Sequence, residues 1–256
     1  MINRRHFSTV LAAGAATSLA SPPGARAQTA APRIRNVVLV HGAYADGSCW
    51  SDVIGRLQAA GLRATAVQNP LTSLADDVAA TQRVLALQDG PTVLVGHSFA
   101  GTIISEAGID PKVAALVYVA ARAPDAGEDY TALAMKFPRP PASDGLVTSG
   151  GFAQLDQESF LKYFAGDIDP VKARILYAVQ GRISTSLFSG RTTAAAWRSK
   201  PAWYQISTND KTISPELQHF MAERMKAKTI ELASSHVSLI SHPQEIAALI
   251  LEAAAA

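Results

Sequence analysis

The residues most able to do chemistry are the six at Gly96-His97-Ser98-Phe99-Ala100-Gly101. They lie between the apolar run Val93–Val95 and a stretch of helical character. A serine in that setting matches a nucleophile held on a sharp strand-to-helix turn. Such a turn closes only if the residues two before and two after the serine are small. Gly96 and Ala100 meet that need, with alanine where the strict pattern has glycine. The following helix start directs unpaired N–H groups toward developing negative charge. The chemistry this allows is acyl transfer through Ser98. As a bare string the motif is weak, because a tight turn with an incidental serine looks the same.

A serine hydroxyl needs a base near neutral pH. The chain has six histidines. His6 falls in the N-terminal leader. His41 ends the first apolar run and His97 lies inside the serine turn, where imidazoles usually shape the backbone. His219 falls within a helical stretch. His236 follows the last strand-like run in the polar loop Ala233-Ser234-Ser235-His236 and is the favoured base. His242, before Pro243, is its rival. The orienting carboxylate is assigned to Asp210 in Thr208-Asn209-Asp210-Lys211, which gives the chain order Ser, Asp, His. Asp125 is the alternative. An oxyanion hole needs two backbone N–H groups. Phe99, after the nucleophile, supplies one, and Ala43 in His41-Gly42-Ala43-Tyr44 supplies the other.

These residues must be carried by elements that end together. Val37–Val40, Thr92–Val95 and Val113–Val119 are short continuous apolar runs, the pattern of strands buried on both faces. Arg63–Val67, Trp203–Ser207 and Lys228–Leu232 add three further strands. Helical spacing recurs over 49–60, from Ser73 to about Gln88, from Gly101, over Pro215–Met225 and over Pro243–Ala254. Strand and helix alternate, which predicts an α/β class with a mostly parallel, doubly wound sheet. The alternation lapses between about 122 and 200, a stretch rich in proline and aromatics. Ser159–Ala165 and Val171–Val179 are amphipathic there, so a small helical insertion within one domain is expected.

Composition narrows the function classes. Of 256 residues, 48% are hydrophobic and 17% charged, which excludes a disordered chain. Residues 1–27 hold Arg4, Arg5 and Arg26 and no acid. A basic start, a small apolar run and Ala25-Arg26-Ala27 form a cleavable export signal, and the paired arginines mark the twin-arginine type. The expected mature protein is residues 28–256, periplasmic or secreted, with no membrane anchor. Without residues 1–27 the net charge falls from +2 to −1, which argues against nucleic acid as a partner. The single cysteine, Cys49, excludes an intramolecular disulfide and a cysteine-cluster zinc site. The sequence leaves a homo-oligomer open.

Together the motifs resemble the α/β-hydrolase superfamily. They are most similar to the small serine esterase branch that holds plant methylesterases, hydroxynitrile lyases and many bacterial esterases. The marks are Val40-His41-Gly42-Ala43, Gly47-Ser48-Cys49-Trp50, Leu94-Val95-Gly96-His97-Ser98, Lys200-Pro201-Ala202-Trp203-Tyr204 and Ser234-Ser235-His236. The resemblance spans most of residues 36–253. It implies an α/β-hydrolase fold with a helical cap insertion at about 122–200. It also implies a triad of Ser98, Asp210 and His236, with oxyanion donors Ala43 and Phe99, needing no cofactor or metal. The lyase members carry a lysine after the histidine and a threonine in the first loop, where this chain has Val237 and Gly42. Cyanohydrin cleavage is therefore disfavoured. The dehalogenase members use an aspartate where Ser98 stands. The expected substrate is a small, apolar or aromatic carboxylic ester. A lactone or thioester on the same triad, or a slow ligand receptor, are the alternatives.

Overall fold

A computed structural model describes residues 34–256, so the leader read as an export signal lies outside the described residues. β1 (Asn36–Val40) is buried along its whole length, as a central strand covered on both faces must be. α1 (Ser51–Ala59) follows a single 3-10 turn at Gly47–Trp50 and buries Val53 and Leu57. β2 (Arg63–Val67) is an edge strand with alternating exposure. α2 (Leu74–Ala86) begins at Ser73, whose hydroxyl accepts from the Asp76 amide at 3.1 Å. β3 (Thr92–His97) leads through the serine turn into α3 (Ala100–Ala107), and β4 (Val113–Val119) is the next buried strand.

An insertion then intervenes. It comprises α4 (Tyr130–Ala134), β5 (Leu146–Ser149), β6 (Phe152–Leu155), α5 (Gln157–Ser159) running into a π turn at Phe160–Phe164, α6 (Pro170–Ala178) and β7 (Ile183–Ser184). The two amphipathic pieces read from sequence fall on its helical parts. In addition, β5, β6 and β7 form a small antiparallel sheet that the sequence reading did not anticipate. Its β5–β6 turn is Gly150-Gly151, both at positive φ, which suits a two-residue hairpin.

The chain returns to the main sheet with β8 (Ala202–Ser207), α7 (Pro215–Met225), β9 (Lys228–Leu232), α8 (Ser238–Ser241) and α9 (Pro243–Ala255). The main sheet has six strands in the order β2-β1-β3-β4-β8-β9, all parallel. Right-handed crossovers fix the layers. The β1-to-β2 step runs opposite to the others, so α1 lies on one face and α2, α3 and α7 on the other. α9 packs against α1. The direction of winding reverses between β1 and β3, and the carboxyl ends of strands at such a switch point are where a parallel sheet presents a site. Among the described residues no helix is long and apolar enough to cross a membrane.

Candidate active site

Ser98 sits just beyond β3 with φ of +56°. A non-glycine residue in this region is strained by about 1–3 kcal/mol and is held there by its surroundings. Its N–H donates to the Val119 carbonyl at 3.1 Å, and its carbonyl accepts from the amides of Gly101 at 3.0 Å and Arg122 at 2.9 Å. Gly96 is small for the expected reason: a Cβ there would lie 2.9 Å from the Ala100 carbonyl oxygen.

β8 and β9 end beside this turn. Asp210 follows β8 and His236 follows β9, and both side chains are fully buried. His236 Nε2 lies 2.7 Å from Ser98 Oγ, and His236 Nδ1 lies 2.7 Å from Asp210 Oδ2. With a proton on Nδ1 donated to the carboxylate, Nε2 is free to accept from the serine hydroxyl. A hydroxyl, imidazole and carboxylate so linked can move a proton off the serine as it attacks.

Asp210 is further surrounded by donors. Its Oδ1 accepts from the amides of Thr212 at 2.7 Å and Ile213 at 3.1 Å, and its Oδ2 also accepts from Gln218 Nε2 at 2.7 Å. Behind the histidine runs a buried polar network. Ser238 Oγ donates to Gln205 Oε1 at 2.6 Å, Gln205 Nε2 donates to Ser207 Oγ at 3.1 Å, and Ser234 and Ser207 hydroxyls meet at 2.9 Å. Ser234 and Ser238 flank His236, so its loop is pinned on both sides.

His97 and His41 shape backbone. His97 Nε2 lies 2.9 Å from the His236 carbonyl oxygen, and the two rings are 4.8 Å apart. Burial, aided by His236 nearby, holds the His97 pKa well below the usual imidazole value. The ring stays neutral and donates Nε2–H. His41 Nδ1 donates to the Gly42 carbonyl at 2.9 Å, and burial lowers its pKa as well. The rival candidates lie elsewhere. Asp125 pairs with Arg198, and His242 Nδ1 lies 2.8 Å from Ser241 Oγ. His219 is 3.8 Å from Glu231. Cys49 does not line the Ser98 cavity, and burial pushes its thiol pKa up.

The first loop, His41 to Tyr44, lies directly against the serine turn. A Cβ on Gly42 would come within 2.7 Å of Ser98 Cβ and 2.8 Å of the His97 carbonyl oxygen, so a side chain there would require the loop to move. Ala43 and Phe99 both line the cavity that contains Ser98. Among the described residues neither of their amides has an acceptor. The cavity holds about 290 Å³ and is mostly apolar, with Tyr130, Pro138, Leu146, Leu155 and Phe188 from the insertion forming its roof. Val237, where the lyases carry lysine, is buried. Among the described residues no cluster of three or more His, Cys, Asp or Glu side chains could hold a metal ion.

Two residues of this site escaped the sequence reading. Gln218 lies on the same stripe of α7 as the buried Met221 and Met225, and a lone amide on an apolar stripe was the available signal. Arg122 stands among alanines just past β4, and its charge in an apolar stretch was the only cue.

Residues 37–249 match the alpha/beta hydrolase family, and the chain belongs to it. It is 29% identical over 252 residues to Methylesterase 7 of Arabidopsis thaliana, covering 86% of this chain and 96% of that one. It is 31% identical over 162 residues to the carbendazim hydrolyzing esterase of Nocardioides sp. (strain SG-4G), covering 56% of this chain and 63% of that one. The crystal structure of polyneuridine aldehyde esterase is similar at a TM-score of 0.74 and 21% identity, over 86% of this chain and 98% of that one. At that identity the likeness speaks for the fold alone. A plant methylesterase among the relatives agrees with the branch that the motifs resemble.

Proposed function

We propose that this protein hydrolyses small carboxylic esters with an apolar or aromatic body, using Ser98 as nucleophile, His236 as base and Asp210 as the orienting carboxylate. The observation that carries the reading is the unbroken chain of 2.7 Å contacts from Ser98 Oγ through His236 to Asp210. The names of the relatives, a methylesterase and an esterase, support ester chemistry.

In the first half-reaction Ser98 Oγ bonds to the ester carbonyl carbon while its proton passes to His236 Nε2. The carbonyl electrons move to the oxygen, which the amides of Ala43 and Phe99 hold. Collapse breaks the bond to the alcohol oxygen, and His236 returns its proton to that oxygen. Asp210 stabilises the imidazolium formed in between. Water, deprotonated by His236, then attacks the acyl-enzyme and releases the acid. Val237 and Gly42 weigh against cyanohydrin cleavage, since no ammonium follows the histidine.

The test is hydrolysis of chromogenic esters of rising acyl length by residues 28–256, with Ser98→Ala alongside. Loss of activity in a variant that melts normally is expected. Equal activity in both proteins would remove Ser98 from the role. Activity confined to lactones or thioesters would move the substrate class and keep the site. Export by the twin-arginine route to the periplasm or medium is part of this proposal. It rests on Arg4, Arg5 and the Ala25-Arg26-Ala27 ending. Cell fractionation with Arg4 and Arg5 changed to lysine tests it.

A further inference from the structure

Among the described residues, Arg122 is the one side chain carrying a fixed charge that lines the Ser98 cavity. It is half-buried. Its guanidinium carbon lies 4.4 Å from the centroid of the Tyr130 ring and 5.4 Å from that of Phe99. Both rings also line the cavity. Among the described residues no carboxylate, carbonyl or hydroxyl accepts a hydrogen bond from its guanidinium. The other half-buried arginine, Arg224, meets Glu128, and the remaining described arginines that meet no carboxylate, Arg35, Arg56, Arg83, Arg174 and Arg182, are exposed.

A partly desolvated guanidinium without a counter-charge is costly. Packing over aromatic faces offsets part of that cost. It leaves the five N–H donors, which no described residue accepts from, available to a ligand in the cavity that Arg122 lines. The backbone at Arg122 is anchored beside the nucleophile turn, its amide donating to the Ser98 carbonyl at 2.9 Å, and the two ring contacts hold the side chain. A planar, pre-oriented donor fork matches a carboxylate in two-point contact. The remaining lining is apolar, with Ala134, Pro140, Leu146 and Leu217 among it.

We infer that Arg122 is a specificity-determining residue that binds a carboxylate on the substrate, so that the preferred substrates are small esters carrying a second, free carboxylate, such as the half-esters of short dicarboxylic acids. The inference rests on the ester-hydrolase reading and deepens it. The carbon skeleton of the substrate fills the apolar roof, and its anionic end meets Arg122.

The test compares isosteric pairs on the full mature chain. Monomethyl adipate and methyl hexanoate differ in an acyl-side carboxylate. 4-Butanoyloxybenzoate and 4-methylphenyl butanoate differ in one on the alcohol side. Wild type is expected to favour the charged member of at least one pair in kcat/KM, and the favoured pair tells which end Arg122 reads. Arg122→Met should lower the charged-to-neutral ratio by about 10- to 100-fold, and Arg122→Lys should recover part of it. A wild-type preference for the neutral member of both pairs overturns the inference whether or not the variants fold. So does a ratio that Arg122→Met leaves within threefold. Hydrolysis of neither member by wild type, while Ser98→Ala matches it on every ester, would instead overturn the ester-hydrolase reading on which the inference stands.

Discussion

Gln218 Nε2 lies 2.7 Å from Asp210 Oδ2, the same oxygen that faces His236 Nδ1. The amide cannot be turned around without loss, because its Oε1 accepts from the Ser207 N–H at 3.0 Å. One buried glutamine from α7 thus ties the end of β8 to the carboxylate. Gln218→Leu removes the donor and orphans the Ser207 N–H. We expect kcat to fall about 3- to 30-fold with KM nearly unchanged, since Gln218 does not line the cavity. Gln218→Glu sets a second carboxylate against Asp210 and should fall further, recovering as pH is lowered. Steady-state kinetics across pH, beside melting curves, read both. An unchanged kcat in a well-folded leucine variant would reduce Gln218 to packing.

Gly42 stands where a side chain would meet Ser98 Cβ and the His97 carbonyl. Neither neighbour is a flexible tip that can swing aside. Gly42→Ala should therefore push the first loop away from Phe99 and spoil the paired N–H groups. The expected loss in kcat is about 100- to 1,000-fold, the range for losing an oxyanion donor. Fold loss is monitored by the melting temperature. A variant with wild-type turnover would show that the first loop takes no part in holding the oxyanion.

Asp77, in the first turn of α2, is buried and accepts from the Leu71 amide at 2.7 Å through Oδ1. Its Oδ2 has no partner among the described residues. Burial pushes its carboxyl up to about 6 from the usual 3.8. The folded state therefore holds this proton more tightly than the unfolded chain. Its contribution to stability is complete below the usual value and is lost as pH rises through about 6. Asp77→Asn keeps an acceptor for Leu71 and never ionises. Relative to wild type it should gain about 1–3 kcal/mol between pH 4 and pH 7. Denaturant unfolding of both proteins at the two pH values measures this. A difference independent of pH would mean that Asp77 titrates normally.

Much of this architecture is legible in the sequence where burial imposes a pattern. β2, β4, α7 and β9 have the ends read from sequence: β4 as a continuous apolar run of a covered strand, the edge strands β2 and β9 from alternation, and α7 from its opening proline and helical spacing. That Ser98, Asp210 and His236 come together was legible because each follows a strand in the order this fold uses. The antiparallel hairpin at Leu146–Leu155 was not, although Gly150-Gly151 marks its turn. β5 is exposed throughout, so it carries no alternation to read. Gln218 and Arg122 were missed for a different reason. Their roles come from what tertiary packing sets against them, Asp210 in one case and two aromatic rings in the other, and no helix or strand periodicity links those positions.

Asp167 joins the insertion to the histidine loop. Its Oδ2 accepts from the Ser235 amide at 2.9 Å and its Oδ1 from the Ser235 hydroxyl, which also lies 3.2 Å from the Phe164 carbonyl oxygen. Ser235 directly precedes His236, and Phe164 packs 5.2 Å from the His236 ring. Removing the carboxylate leaves the Ser235 amide without its acceptor and frees the turn between the π segment and α6. Hydrogen bonds to a charged group contribute about 1.5–3 kcal/mol each, and solvent at this exposed site reduces that. Asp167→Ala should lower kcat about 3- to 10-fold and speed proteolysis within residues 130–190 more than elsewhere. Asp167→Asn keeps one acceptor and should fall between. If Asp167→Ala melts and is cleaved like wild type yet loses turnover, the contact acts on His236 alone. If turnover is retained while cleavage rises, it serves the insertion and not the base.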